Sequence, residues 1–247
     1  MALLKAAPED QALLLDLQEL DTRLQQLDHR ARVLPELEVL AGLRTRHAEL
    51  TATLTARTGA WEDAQTELKR VEADVAVVEA RMARDRERLQ ATSSTKDVQA
   101  LEQELDALRK RRGDLEDIEL EVMQTVEDRA HELDAARAEL ASLDASIAES
   151  EAAKDAALAD LDAERRHAAA NRSTIAGKVP ADLLALYEKQ RDRYGVGASM
   201  LRGGVSSATG VMLGASDMNA VRSAAPDDVL LCPDSSAILV RTAESGL

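Results

Sequence analysis

Cysteine occurs once in this chain of 247 residues, at position 232, within Leu231-Cys232-Pro233-Asp234-Ser235. Short apolar residues lead into the segment and Ala237-Ile238-Leu239-Val240 lead out of it, so it reads as two strands joined by a tight turn. A cysteine at 235 would complete a C-x-x-C knuckle, whose thiolates share one tetrahedral zinc. Serine stands there instead. On these residues alone a metal site, the remains of one and an ordinary hairpin all stay open. Other chemistry is sparse. His29, His47, His131 and His167 fall in segments with helical periodicity, away from position 232. Gly195-Val196-Gly197 and Gly203-Gly204 lack the helix and lysine that follow in a phosphate-binding loop. The Asp and Glu side chains are spread over solvated helix faces, where nothing prepares one as a general acid or base. No catalytic residue and no cofactor are assigned.

The elements that must position these residues are mostly helical. Charged residues make up 31% of the chain and aromatic residues 1%, with no phenylalanine and a formal charge of -15. A globular core of this length draws on aromatics, whereas long packed helices need mainly Leu, Val and Ala. Leu13, Leu17, Leu20, Leu24, Leu27, Ala31 and Leu34 alternate steps of four and three, an a/d heptad seam. Pro35 interrupts it, since proline lacks the amide donor and crowds the preceding turn. The seam resumes with Leu37, Leu40 and Leu43 and becomes regular from Leu54 through Trp61, Val71 and Met82 to Leu89. Residues 91–97 lose the pattern and supply hydroxyls, with Ser94 and Asp97 at capping-box spacing. From Val98 one register then runs through Leu105, Leu115 and Leu133 to Leu161, with Arg112, Glu119 and Arg129 on seam positions that mark loosened or register-setting layers. A hairpin turning at 91–97 buries both seams and sets Arg84 near Glu104 and Arg86 near Glu102.

After residue 170 the sequence changes character. Pro180 opens a short helix through Leu183, Leu184 and Tyr187, with Gly195 past its end. Strands are expected near 198–202, 211–213, 228–232 and 237–241, with a helical turn at 216–224. Val211, Leu213, Val229, Leu231, Ile238 and Val240 are the expected apolar contacts, docked on the helix of residues 180–193. So small a module needs a neighbouring surface, a metal or disulfides, and a single cysteine excludes an intrachain disulfide.

Ser94-Thr95-Lys96-Asp97-Val98-Gln99-Ala100-Leu101-Glu102-Gln103-Glu104-Leu105, its continuation from Leu115 to Met123, Val179-Pro180-Ala181-Asp182-Leu183-Leu184 with Tyr187, and the ending from Ile238 to Leu247 resemble the bacterial C4-type zinc-ribbon proteins with a long N-terminal coiled coil. The resemblance implies a mainly α fold: a long antiparallel coiled-coil helical hairpin with a small C-terminal zinc-ribbon-like β module. With the residue pattern, this divides the chain into a hairpin over 1–170, kinked near 35 with its tip near 91–97, and a short helix plus ribbon over 171–247. It also implies two C-x-x-C knuckles, which fall on Ser206 and Thr209 and on Cys232 and Ser235. Hydroxyls stay protonated near neutrality and are poor substitutes for thiolates, so a degenerate ribbon without zinc is expected.

The function expected is that of a non-enzymatic scaffold or adaptor binding protein partners in the cytoplasm. Met1 to Asp10 lacks the basic and apolar parts of a secretory leader, and no apolar run suits a membrane span. The alternative is a nucleic-acid-binding regulator. Residues 81–112 carry nine basic side chains against six acidic, and Arg109, Lys110 and Arg111 are the candidate partner-binding residues. The ribbon itself lacks the basic stripe and exposed aromatics that phosphate and base contacts use.

Overall fold

A computed structural model describes residues 4–247; residues 1–3, the start of the expected hairpin domain, lie outside the described residues. Helix α1 (Pro8–Arg32) is followed by α2 (Pro35–Ala91), α3 (Thr95–Ala176) and α4 (Ala181–Tyr194). Then come β1 (Ala198–Arg202), β2 (Val205–Ser206), α5 (Ala215–Ser223), β3 (Leu230–Leu231), β4 (Ile238–Arg241) and a closing 3₁₀ turn (Ala243–Ser245). No helix among the described residues is long and apolar enough to cross a membrane. The chain forms two compact units, one of Glu36–Ala152 and one joining the residues up to Pro35 to Ala153–Leu247.

In the first unit α2 and the facing part of α3 form the antiparallel hairpin. Ala, Leu, Glu and Arg dominate both, residues that lose little freedom in a helix. Leu40, Leu50, Val71 and Met82 of α2 are buried, as are Leu105, Leu108, Leu115, Leu133, Ala136 and Leu143 of α3. At the turn the Ser94 hydroxyl accepts from the Asp97 amide at 3.4 Å, which supplies one of the first-turn donors of α3 with a partner. The cross-helix pairing differs from the expected one: Glu104 is held by Arg81, while Arg84 turns its Nε to the Ala80 carbonyl. Arg81 precedes a buried seam residue, Met82, so its long side chain flanks the interface. Arg44 to Glu151, Arg46 to Glu139 and His47 to Asp144 continue the pairing, at 2.7, 2.6 and 3.1 Å.

The second unit holds the module. Its sheet has the order β2-β1-β4-β3, with β1 and β4 parallel and the outer pairs antiparallel. One face packs Ala198, Ile238 and Val240 against Leu183 and Tyr187 of α4 and Leu14 and Leu17 of α1. The other packs Leu201 and Leu239 with Cys232, Leu213 and Val221. The expected boundary at 170 therefore falls inside α3, which runs on to Ala176, and α1 belongs with the module core. Each fully buried leucine contributes about 1.5–3 kcal/mol, and Leu14 and Leu17 supply apolar surface that the module's own residues lack. Lys5 bridges to Asp228, and the Ala6 and Val229 amides bond the Asp227 and Leu4 carbonyls, each at 2.9 Å. Arg241 donates to the carbonyls of Ala224, Ala225, Pro226 and Asp228, pinning the loop before β3.

Two expected core residues are not in the core. Val211 and Leu231 are 53% and 46% exposed. The segment 211–213 makes only one bridge, Met212 with Val205, and Leu231 sits on the outermost strand, whose alternation turns it outward.

Candidate functional site

The turns after β2 and before β4 share one backbone geometry. In the first, the Ser206 amide donates to the Val211 carbonyl at 3.1 Å and the Gly210 amide to the Ser206 carbonyl at 2.8 Å. In the second, the Cys232 amide donates to Ala237 at 2.8 Å and the Ser236 amide to Cys232 at 2.9 Å. Each turn passes through the left-handed region at its fifth residue, Gly210 with φ 69° and Ser236 with φ 58°. Glycine adopts that region freely, and a short polar residue tolerates it at modest cost.

Three of the four positions expected as knuckle ligands come together. Ser206 and Cys232 are buried, and Ser206 and Ser235 both act on the Cys232 thiol. Burial pushes this thiol up, but the Ser235 hydroxyl and amide, the Ser206 hydroxyl and the Asp234 amide hold it below its ordinary value. The sequence offers no basic residue nearby to do so, and the hydroxyls and amides that do are legible only in three dimensions. Ser206 also shares a 2.7 Å bond with the buried Ser199 hydroxyl, whose oxygen accepts from the Ala208 amide at 3.2 Å. Thr209 serves its own turn, accepting from the Val211 amide at 3.2 Å. One thiol with hydroxyls does not fit a structural zinc ion, whose ligands must be deprotonated at neutral pH. Among the described residues no three His, Cys, Asp or Glu side chains are placed to hold a metal.

Arg109, Lys110 and Arg111 lie exposed on α3 near the hairpin tip. Arg109 is engaged by Asp106 on its own helix, whereas neither Lys110 nor Arg111 is ion-paired among the described residues. Arg112 is half-buried on the seam beside Glu116, 3.1 Å away.

The most concentrated polar cluster is one that sequence reading missed. Asp21 of α1 is 4% exposed and accepts from Arg172 Nε and Nη2 at 2.7 and 3.1 Å, from Arg191 Nη1 at 2.9 Å and from the Tyr187 hydroxyl at 2.7 Å. Glu188 pairs with both arginines. Burial raises the Asp21 carboxyl, and the bonds from Arg172 and Tyr187 together with the arginine charges outweigh it, so its pKa stands below the ordinary value. Burial and the Asp21 carboxylate push the Tyr187 hydroxyl up, so it stays protonated and donates. One turn earlier, Gln18 Oε1 accepts from the Gly197 amide at 2.7 Å. The Tyr187 ring lies against Gly197 so closely that a Cβ there would stand 2.5 Å from it. The signal was present: Leu14, Leu17, Asp21 and Leu24 have the same three-and-four spacing as the Leu13, Leu17, Leu20 seam. A carboxylate on a buried stripe requires cationic partners.

Known proteins resemble this chain over most of its length. The model of the CT398-like coiled coil hairpin domain matches residues 17–195. The uncharacterized protein Rv2229c of Mycobacterium tuberculosis is 32% identical over 239 residues, covering 96% of this chain and 98% of the relative. A solved structure from Mycobacterium smegmatis superposes with a TM-score of 0.86 at 33% identity, covering 96% of this chain and 100% of that one. CT398 from Chlamydia trachomatis superposes with a TM-score of 0.65 at 19% identity over 95% and 98% of the two chains, a likeness of fold.

Proposed function

We propose that this chain, which belongs to the CT398-like coiled coil hairpin domain family, is a non-enzymatic scaffold or adaptor that binds protein partners through its hairpin. The observation that carries the reading is the hairpin itself. Its helices bury each other's apolar seam, which frees their outer faces for partners, and Lys110 and Arg111 project there without ion pairs among the described residues. The module acts in this reading as a zinc-ribbon remnant, supported by its two equivalent turns and by the hydroxyls around Cys232 where thiolates would be needed. A single buried cysteine, free of any disulfide, suits the cytoplasm.

The exposed Lys110 and Arg111 also favour a second reading, contact with nucleic-acid phosphate. Capture of partners on the full chain, with and without nuclease treatment, separates the two. Partners that persist after nuclease, and weaken on combined reversal of Arg109, Lys110 and Arg111 to glutamate, support the adaptor. Partners that vanish with nuclease support the alternative. The reversal leaves helicity unchanged, because these exposed side chains contribute little to packing.

A further inference from the structure

We propose that the middle of the hairpin is a built-in joint, a section of α2 and α3 that opens and bends locally while the layers on both sides stay packed. Along α2 no residue is buried between Leu50 and Val71, and along α3 none between Leu115 and Leu133. Antiparallel pairing sets these two stretches opposite each other. On the tip side, Met82, Leu105 and Leu108 form an apolar cluster. On the other side Leu50 of α2 and Leu133 and Ala136 of α3 are all buried.

Four features of the section weaken it further. Arg57 takes a seam position between Leu54 and Trp61 and donates to the main-chain carbonyl of Glu132 at 2.8 Å. A guanidinium at this position replaces an apolar layer of the seam with an exposed polar contact. Glu119 occupies a seam position on the facing helix, so a second layer of the section is also polar. Thr51, Thr53, Thr55, Thr58 and Thr66 each turn their hydroxyl back to the carbonyl four residues earlier, a bond that destabilises and bends helices. Gly59 lies within the same stretch, and a Cβ there meets nothing within 4 Å. Packing therefore does not require that glycine, which leaves the helix weaker than alanine would.

A joint here lets the tip half of the hairpin, with Lys110 and Arg111, change its aim at a partner. That consequence rests on the adaptor reading, but the joint itself is tested with no partner present. In hydrogen exchange of the full chain, amides of residues 53–68 and 118–130 are expected to exchange about tenfold or more faster than those of 71–85 and 105–115. Arg57→Leu with Gly59→Ala supplies an apolar layer and a better helix former, and should slow exchange in the section about tenfold while leaving the flanks unchanged. Gly59→Ala alone, directed into open space, should slow it about fivefold without disturbing packing. Uniform protection along both helices in the unmodified chain would overturn the joint. So would an unchanged exchange rate in the section of the Gly59→Ala chain.

Discussion

Replacing Asp21 with alanine removes the one acceptor that Arg172, Arg191 and Tyr187 share. Four hydrogen bonds are lost together, and two guanidinium groups remain in a largely enclosed site. Removing one partner of a buried ion pair costs about 3–5 kcal/mol. Glu188 still contacts both arginines, which places the expected loss near the lower end, about 3 kcal/mol. At about 1.4 kcal/mol per factor of ten, opening of the α4–β1 region becomes about a hundredfold more frequent. Hydrogen exchange followed by mass spectrometry reads this directly in peptides covering 183–199, with peptides from 71–85 of the hairpin as an internal control. Asp21→Asn, which keeps the volume and an acceptor but not the charge, should fall between. A change below about threefold at 183–199, or equal acceleration in the control, would refute the reasoning that this carboxylate fastens α1 to α4.

Acid provides a related test: because the folded pKa of Asp21 is depressed, its stabilising contribution is fully present above the ordinary value of 3.8 and is lost as pH falls through the lower folded value. Circular dichroism of the unmodified chain should therefore show an acid loss below about pH 4 that Asp21→Asn lacks. Gly197→Ala should destabilise the module by about 1–3 kcal/mol, because the added methyl must displace the Tyr187 ring, and thermal melting should show it. Cysteine introduced together at 206, 209 and 235 should create zinc affinity measurable by competition with a chromogenic chelator, since the main-chain bonds already hold both turns in one geometry; an absence of affinity would mean that the side chains diverge.

The hairpin was legible because its information is periodic. A run such as Leu105, Leu108 and Leu115, all buried, specifies a helix and its buried face at once. The break at Pro35 and the turn near 91–97 follow from residues that cannot continue the pattern. What stayed hidden is what depends on contacts distant in sequence. α1 carries two overlapping stripes, and only the arrival of Arg172 and Arg191 selects the one containing Asp21. Glu104 chose Arg81 over Arg84, a difference of less than one helical turn that spacing does not resolve. Val211 and Leu231 are apolar in sequence yet exposed, because Val211 lies in a segment held by a single bridge and Leu231 faces outward on a two-residue edge strand. The environment of Cys232 depends on Ser206, brought beside it by the pairing of β1 with both β2 and β4.

That α1 completes the module's core has a consequence for how the protein is made. Leu14 and Leu17 leave the ribosome roughly 220 residues ahead of Ile238 and Val240, against which they pack. At about 5–20 residues per second, that apolar face waits about 10–45 s for its partners. The hairpin, whose two helices are contiguous in the chain, has time to zip up in between. The nascent chain thus carries a folded arm and an exposed leucine stripe at once, which makes residues 8–27 the stretch where a chaperone would be needed.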